Sequence, residues 1–108
     1  MAFSKAKAAA QGACVVGVDV NEDELANTVG MITLKGGKGI GLRADVTDPA
    51  AMSVMVQAAV ERFGKVDVLV NNAGIMPLAF FADHAQASQA WSRCIDINFK
   101  GVLNGICA

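Results

Sequence analysis

Two periods of apolar residues take turns along this chain, one helical and one extended. Residues 3–11 are rich in alanine and lysine, good helix formers, and Gly12 follows as a stop. Cys14-Val15-Val16-Gly17-Val18-Asp19 is a short apolar run closed by an acid, which predicts a strand. Residues 21–31 open with Asn21-Glu22-Asp23-Glu24, a cap followed by acids suited to the positive end of a helix. Gly36-Gly37 breaks the chain, and Ile40-Gly41-Leu42-Arg43-Ala44-Asp45-Val46 predicts a second strand. Asp48-Pro49 is a helix start, with an acceptor at the cap and proline in the first turn. Met52, Met55, Val56, Ala59, Val60 and Phe63 then recur at three and four, which predicts one buried helix face ended by Gly64. Val66–Val70 predicts a third strand, stopping at Asn71-Asn72-Ala73-Gly74. A loop with Pro77 leads to a last helix, from about Ser88 to Ala108.

Strict alternation of helix and strand predicts an α/β fold around a parallel sheet with right-handed crossovers. The apolar fraction, 54%, exceeds the usual ~45–50% and suits strands covered on both faces. At 108 residues the chain is one domain at most, and a closed core would bury roughly 65% of its unfolded surface. The net charge of −1 comes from scattered residues, which argues against a nucleic-acid partner. No run approaches the ~18 apolar residues that span a bilayer, and Met1–Lys7 has no apolar stretch behind its lysines. A cytoplasmic protein without a membrane partner is expected. Cys14, Cys94 and Cys107 lack metal-ligand spacing, so reduced thiols acting as small buried hydrophobes are expected, and no metal.

Chemistry concentrates where predicted strands end. A buried strand that stops at amides and a glycine is how an open parallel sheet presents a nucleotide site at its carboxyl edge. Asp19 at such an end can accept from both hydroxyls of an adenine ribose, and its charge would repel a 2′-phosphate; it can equally be a solvated acid. Asp45 can meet an adenine amino group while Val46 lines the ring, although a turn before a helix also explains the pattern. Asn71 and Asn72 can tie strand ends together, and Ala73-Gly74 lets backbone approach a ribose; an Asx turn is the plainer alternative. Asn98 falls in a helical stripe with Trp91, Cys94, Ile95, Val102 and Ile106. A buried amide there needs a polar network beneath the helix, unless it sits wet at the stripe's edge. Gly37-Lys38-Gly39-Ile40-Gly41 has the spacing of a phosphate loop but leads into a strand rather than opening a helix, so that reading is rejected. His84 has no nucleophile placed for it and is expected in a loop.

In register, Gly12–Asp19, Arg43-Ala44-Asp45-Val46-Thr47-Asp48, Asn71-Asn72-Ala73-Gly74 and Ile95-Asp96-Ile97-Asn98-Phe99-Lys100-Gly101 resemble the short-chain dehydrogenase/reductase family. The resemblance implies a Rossmann-type doubly wound parallel sheet and hydride transfer between NAD(P) and an alcohol or ketone. By position it implies that Asp19 holds the adenine ribose, that Asp45 and Val46 hold the adenine, and that Asn71, Ala73 and Gly74 line the cofactor's ribose and backbone path. Asn72 would brace the sheet, and Asn98 would be the catalytic helix asparagine that fixes a water in a proton relay. NAD is the expected cofactor, with NADP still open.

The departures from the family pattern carry their own expectation. A glycine-rich TGxxxGxG turn should lie roughly 20 residues before Asp19, which puts it at or before Met1. The family's YxxxK pair has no counterpart, and the chain contains no tyrosine. The expected object is a partial NAD(P)-binding domain over residues 1–108, holding strands 2, 3 and 4 of the family sheet, truncated at both ends and inactive alone. In the order 3-2-1-4-5 its first strand would lie between two of those present, leaving unpaired apolar edges and marginal stability. The alternative is a non-catalytic binding or dimerisation module, forming a homo- or hetero-oligomer through helix 88–108, or a non-functional gene fragment.

Overall fold

Capping chemistry sets the boundaries of most helices. The computed structural model describes residues 2–78 and 81–108. Helix α1 (Ala2–Ala10) ends at Gly12, whose φ of 95° suits glycine. Strand β1 (Cys14–Asp19) leads to helix α2 (Glu22–Leu34), where the Asn21 side chain accepts from the N–H groups of Asp23 and Glu24. Strand β2 (Lys38–Arg43) precedes helix α3 (Pro49–Phe63), capped by the Asp48 carboxylate on the Ala50 N–H and closed by left-handed Gly64.

β1 and β2 pair in parallel from Cys14 opposite Lys38 to Asp19 opposite Arg43, with α2 as the crossover. The core lies where α1 meets α2. Ala6, Ala9 and Ile32 are buried, with Val15 and Met31 packed against them. The glycines of 37–41 belong to this packing. A Cβ on Gly37 would lie 2.6 Å from the Ala9 Cβ, and one on Gly39 2.8 Å from Ile32 Cδ1. They let two helices press on the sheet, in keeping with the rejected phosphate loop. On α3, Met52, Met55 and Ala59 are buried as their spacing predicts, whereas Val60 on the same stripe is exposed.

The third predicted strand does not form. Residues 64–78 carry no sheet pairing, and among the described residues the sheet has two strands. Val66, Val68, Leu69 and Val70 are all exposed. Strand propensity supplies only half of a strand, because the ladder needs a neighbour. In the 3-2-1-4-5 order that neighbour would lie between β1 and this segment, and no described residue occupies the place.

A 3₁₀ turn (Phe81–Asp83) leads to helix α4 (His84–Ile95), a π turn (Asp96–Lys100) and helix α5 (Gly101–Cys107). Backbone angles stay right-handed helical through Ile95, Asp96 and Gly101, so these pieces form one rod with a widened turn. His84 is the first residue of α4 rather than a loop residue, and its ring meets Trp91 edge-on at 5.9 Å. The stripe containing Asn98 is not a buried face. Trp91, Ile95 and Ile106 are exposed, as is Asn98. The cysteines are free thiols, but only Cys94 is partly covered; Cys14 at the start of a strand and Cys107 at the end of α5 are exposed. The molecule measures 50 × 26 × 19 Å and exposes 7454 Å². A closed protein of this mass would expose about 5,700 Å², so the burial expected of a complete core is not reached.

Candidate cofactor site

The predicted site residues fall at the end of β1, in the irregular segments after β2 and after the apolar run, and on the helical rod, which touches several of them. Asp19 ends β1, and its Oδ1 accepts from the Asn21 N–H at 3.0 Å. Its backbone carbonyl accepts from the Ala44 N–H at 3.1 Å, which joins the carboxyl ends of the two strands. Oδ2 has no partner among the described residues and remains available to a donor.

Two residues beyond β2, the Asp45 Oδ1 accepts from both the backbone N–H (2.9 Å) and the hydroxyl (2.8 Å) of Thr47. Those two bonds hold the Asp45 carboxyl below its ordinary value, with the positive charges of Arg93 and Arg43 adding to the effect. Asp45 is therefore an ionised acceptor throughout the neutral range. Val46 is half-buried against α5. Its Cγ2 lies 2.7 Å from where a Cβ on Gly101 would be, so only glycine lets that turn come so close. One turn further on, Asn104 Nδ2 donates to the Val46 carbonyl at 2.8 Å.

The same rod holds the segment after the unpaired apolar run. Asn71 Oδ1 lies 2.5 Å from the Cβ position of Gly105, and Leu69 Cδ2 3.5 Å from it. Asn98 works as a detached peptide group. Its Oδ1 accepts from the Ile75 N–H at 2.8 Å, and its Nδ2 donates to the Ile75 carbonyl at 2.7 Å and to Cys94 Sγ at 3.3 Å. Cys94 Sγ in turn donates to the Ile75 carbonyl at 3.7 Å. Both hydrogens of the Asn98 amide are thus used, and only the second lone pair of Oδ1 remains for a water. Gly74 lies against this clamp, its Cβ position 3.3 Å from Asn98 Oδ1. Asn72 and Ala73 are exposed in the intervening irregular segment.

Asp19 is thereby linked to Ala44, Val46 to α5 through Asn104, and the π turn through Asn98 to Ile75, with Gly74 alongside. Sequence reading missed Asn104. Its signal was present in Gly101, Asn104 and Gly105, a small–polar–small set at i, i+3 and i+4 on one helix face. Two open depressions lie elsewhere, one of 620 Å³ lined by residues including Cys14, Lys38 and Arg62, the other of 420 Å³ along Ser88, Ser92 and Asp96. Neither includes Asp19, Val46 or Gly74; Asp19, Asp45, Asn71, Ala73 and Gly74 are exposed. Among the described residues no cluster of metal-ligating side chains occurs, and no helix is long and apolar enough to cross a membrane.

Comparison with known proteins gives a consistent answer. The sequence pattern of the short chain dehydrogenase family matches residues 3–108. An uncharacterized oxidoreductase of Listeria monocytogenes is 40% identical over 100 residues, covering 93% of this chain and 40% of that protein. The short-chain reductase protein NovJ of Streptomyces niveus is 37% identical over 95 residues, covering 88% and 36%. A short chain dehydrogenase/reductase of Burkholderia phymatum, solved in complex with NAD, superposes with a TM-score of 0.85 at 37% identity, covering 97% of this chain and 36% of its own. The chain spans about 40% or less of the length of these relatives.

Proposed function

The chain belongs to the short-chain dehydrogenase family, and we propose on that premise that it supplies part of the dinucleotide site of an NAD-dependent oxidoreductase acting on an alcohol or ketone. The observation that carries the proposal is the rod α4–α5, which holds the Asp45-Val46 turn at one point and the Gly74-Ile75 segment at another. A dinucleotide needs such a pair of fixed points, because its two ends are read separately.

The residues present suit the cofactor. Asp19 keeps an unpartnered carboxylate oxygen at a strand's carboxyl end, where it would accept from ribose hydroxyls. Asp45, kept ionised by Thr47, would accept from the adenine amino group, with Val46 against the ring. Asn71, Ala73 and Gly74 would border the ribose and backbone path, where Gly74 has no side chain to obstruct it. When bound, the cofactor supplies or takes the hydride. Asn98 holds the Ile75 backbone through two hydrogen bonds, and its remaining lone pair is where a relay water would sit. Asp19, together with the acids at the start of α2, favours NAD over the 2′-phosphorylated form. The tyrosine and lysine that move the proton in this family have no counterpart in residues 1–108, so turnover is not expected of this chain by itself.

The test is equilibrium binding of NAD⁺ and NADP⁺ to the 108-residue chain. NAD⁺ should bind more tightly, and Asp19→Ala should weaken NAD⁺ and narrow the preference. Equal binding of both forms, unchanged by the substitution, would contradict the assignment.

A second reading rests on the rod's outer face. Trp91, Ile95, Phe99, Leu103 and Ile106 recur at four, four, four and three residues and are 38–65% exposed. Such a stripe suits a helix that docks on another subunit, with the chain acting as an oligomerisation module. Light scattering that finds a monomer at all concentrations would remove this reading.

A further inference from the structure

We infer that Asn104 is a positioning residue for recognition of the adenine base: it acts through the Val46 backbone to set the angle at which Asp45 meets the base edge. The inference rests on the cofactor reading above and adds a residue to it.

Three observations converge on the Asp45-Val46 turn. Asp45 is tied to its own turn, with Thr47 N–H and hydroxyl both on Oδ1, which leaves Oδ2 for a base. That lock is local and fixes the carboxylate only relative to residues 45–47. The turn is anchored at its two ends, by the Ala44 N–H on the Asp19 carbonyl and by the Asp48 cap of α3, but neither bond reaches the peptide between Val46 and Thr47. The Val46 side chain touches Gly101, a van der Waals contact that restrains distance but not rotation. The Asn104 amide donates to the Val46 carbonyl across 58 residues of sequence, and a hydrogen bond at 2.8 Å is directional. Asn104 therefore orients the peptide that links Val46 to Thr47, and with it the Thr47 N–H that holds Asp45.

The Asn98 clamp on Ile75 lies on the same rod. Asn98 and Asn104 thus fasten the two turns to one helical frame, the first beside Gly74 and the second beside Asp45. The side chain of Asn104 is half-buried, so water competes poorly for its amide.

Base recognition has a chemical signature that mere packing lacks. A carboxylate at the adenine amino group accepts a hydrogen bond from NAD⁺. It faces a carbonyl oxygen in nicotinamide hypoxanthine dinucleotide, where the amino group is replaced. The wild-type chain should favour NAD⁺ over that analogue by about tenfold or more. In Asn104→Leu the turn keeps its packing but loses the directional bond, and the ratio should fall to about threefold or less while both nucleotides still bind. If Asn104→Leu does not fold, Asn104→Asp, which keeps the shape and loses the donor, is read in its place. A variant that weakens both nucleotides equally and keeps the ratio shows a structural role only and overturns the inference. A wild-type chain that binds both nucleotides alike also overturns it, by removing base recognition. A wild-type chain that binds neither nucleotide refutes the cofactor reading itself, and the inference falls with it.

Discussion

Residues 14–43 and residues 64–78 both contain apolar runs of strand-forming residues, and the structure treats them in opposite ways. The first region pairs β1 with β2 and covers them with α1 and α2, so that Ala6, Ala9 and Ile32 are sealed. The second leaves Val66, Val68, Leu69 and Val70 in solvent, yet its far end is held by side chains of the rod. One region is organised by a backbone ladder and burial. The other is organised by a few polar and close-packed contacts at its carboxyl end, where Asn71 and Gly74 of the candidate site lie. The contrast shows that Gly74 and Ile75 are held by the rod without a backbone ladder in the apolar run before them.

The largest expected effect separates the two regions by stability. Ile32→Ala should cost about 2–4 kcal/mol in urea unfolding, because Ile32 is 1% exposed in the packed region. Leu69→Ala, at 41% exposed, should cost under about 1 kcal/mol. Equal costs would mean that the second region is packed after all. Next comes Gly105→Ala. Its Cβ would meet Asn71 Oδ1 at 2.5 Å, so the exposed Asn71 side chain must swing away from the rod. The side-chain amide resonances of Asn71 should shift while β1 and β2 keep their exchange protection. Asn98→Ala removes both bonds to Ile75 from a solvent-exposed site and should cost about 1 kcal/mol, with faster exchange at the Ile75 amide. Unchanged exchange there would show that Asn98 does not hold the loop.

The smallest effect is electrostatic. Asp45 has a folded pKa below its unfolded value, so its contribution is present at neutral pH and is lost as pH falls through the folded value. Thr47→Val removes the hydroxyl bond and should raise the Asp45 pKa, moving that loss to higher pH, as a carboxyl NMR titration would show. Solvent screening keeps the stability change small. A pKa that does not move would place the cause elsewhere.

What was legible in the sequence was local. The caps at Asn21, Asp48-Pro49 and Gly64 and the run Cys14–Asp19 need only their neighbours to be read. Val66–Val70 misled because its propensity is real and its ladder partner is not a local property. The Asn98 clamp was foreseeable as a polar network, but its partner Ile75 lies 23 residues away and the face was expected to be buried. Asn104 was missed because its partner lies 58 residues away, and an asparagine on a helix has many uses. The π turn at Asp96–Lys100 left no mark in the hydrophobic pattern.

Residue-resolved NMR of the chain during titration with NAD⁺ tests the central claim most directly. The account predicts amide shifts at Asp19, Val46 and Gly74 that saturate together with a single dissociation constant. Shifts confined to the opposite end of the sheet, around Cys14, Lys38 and Arg62, or separate saturation at the three turns, would contradict it.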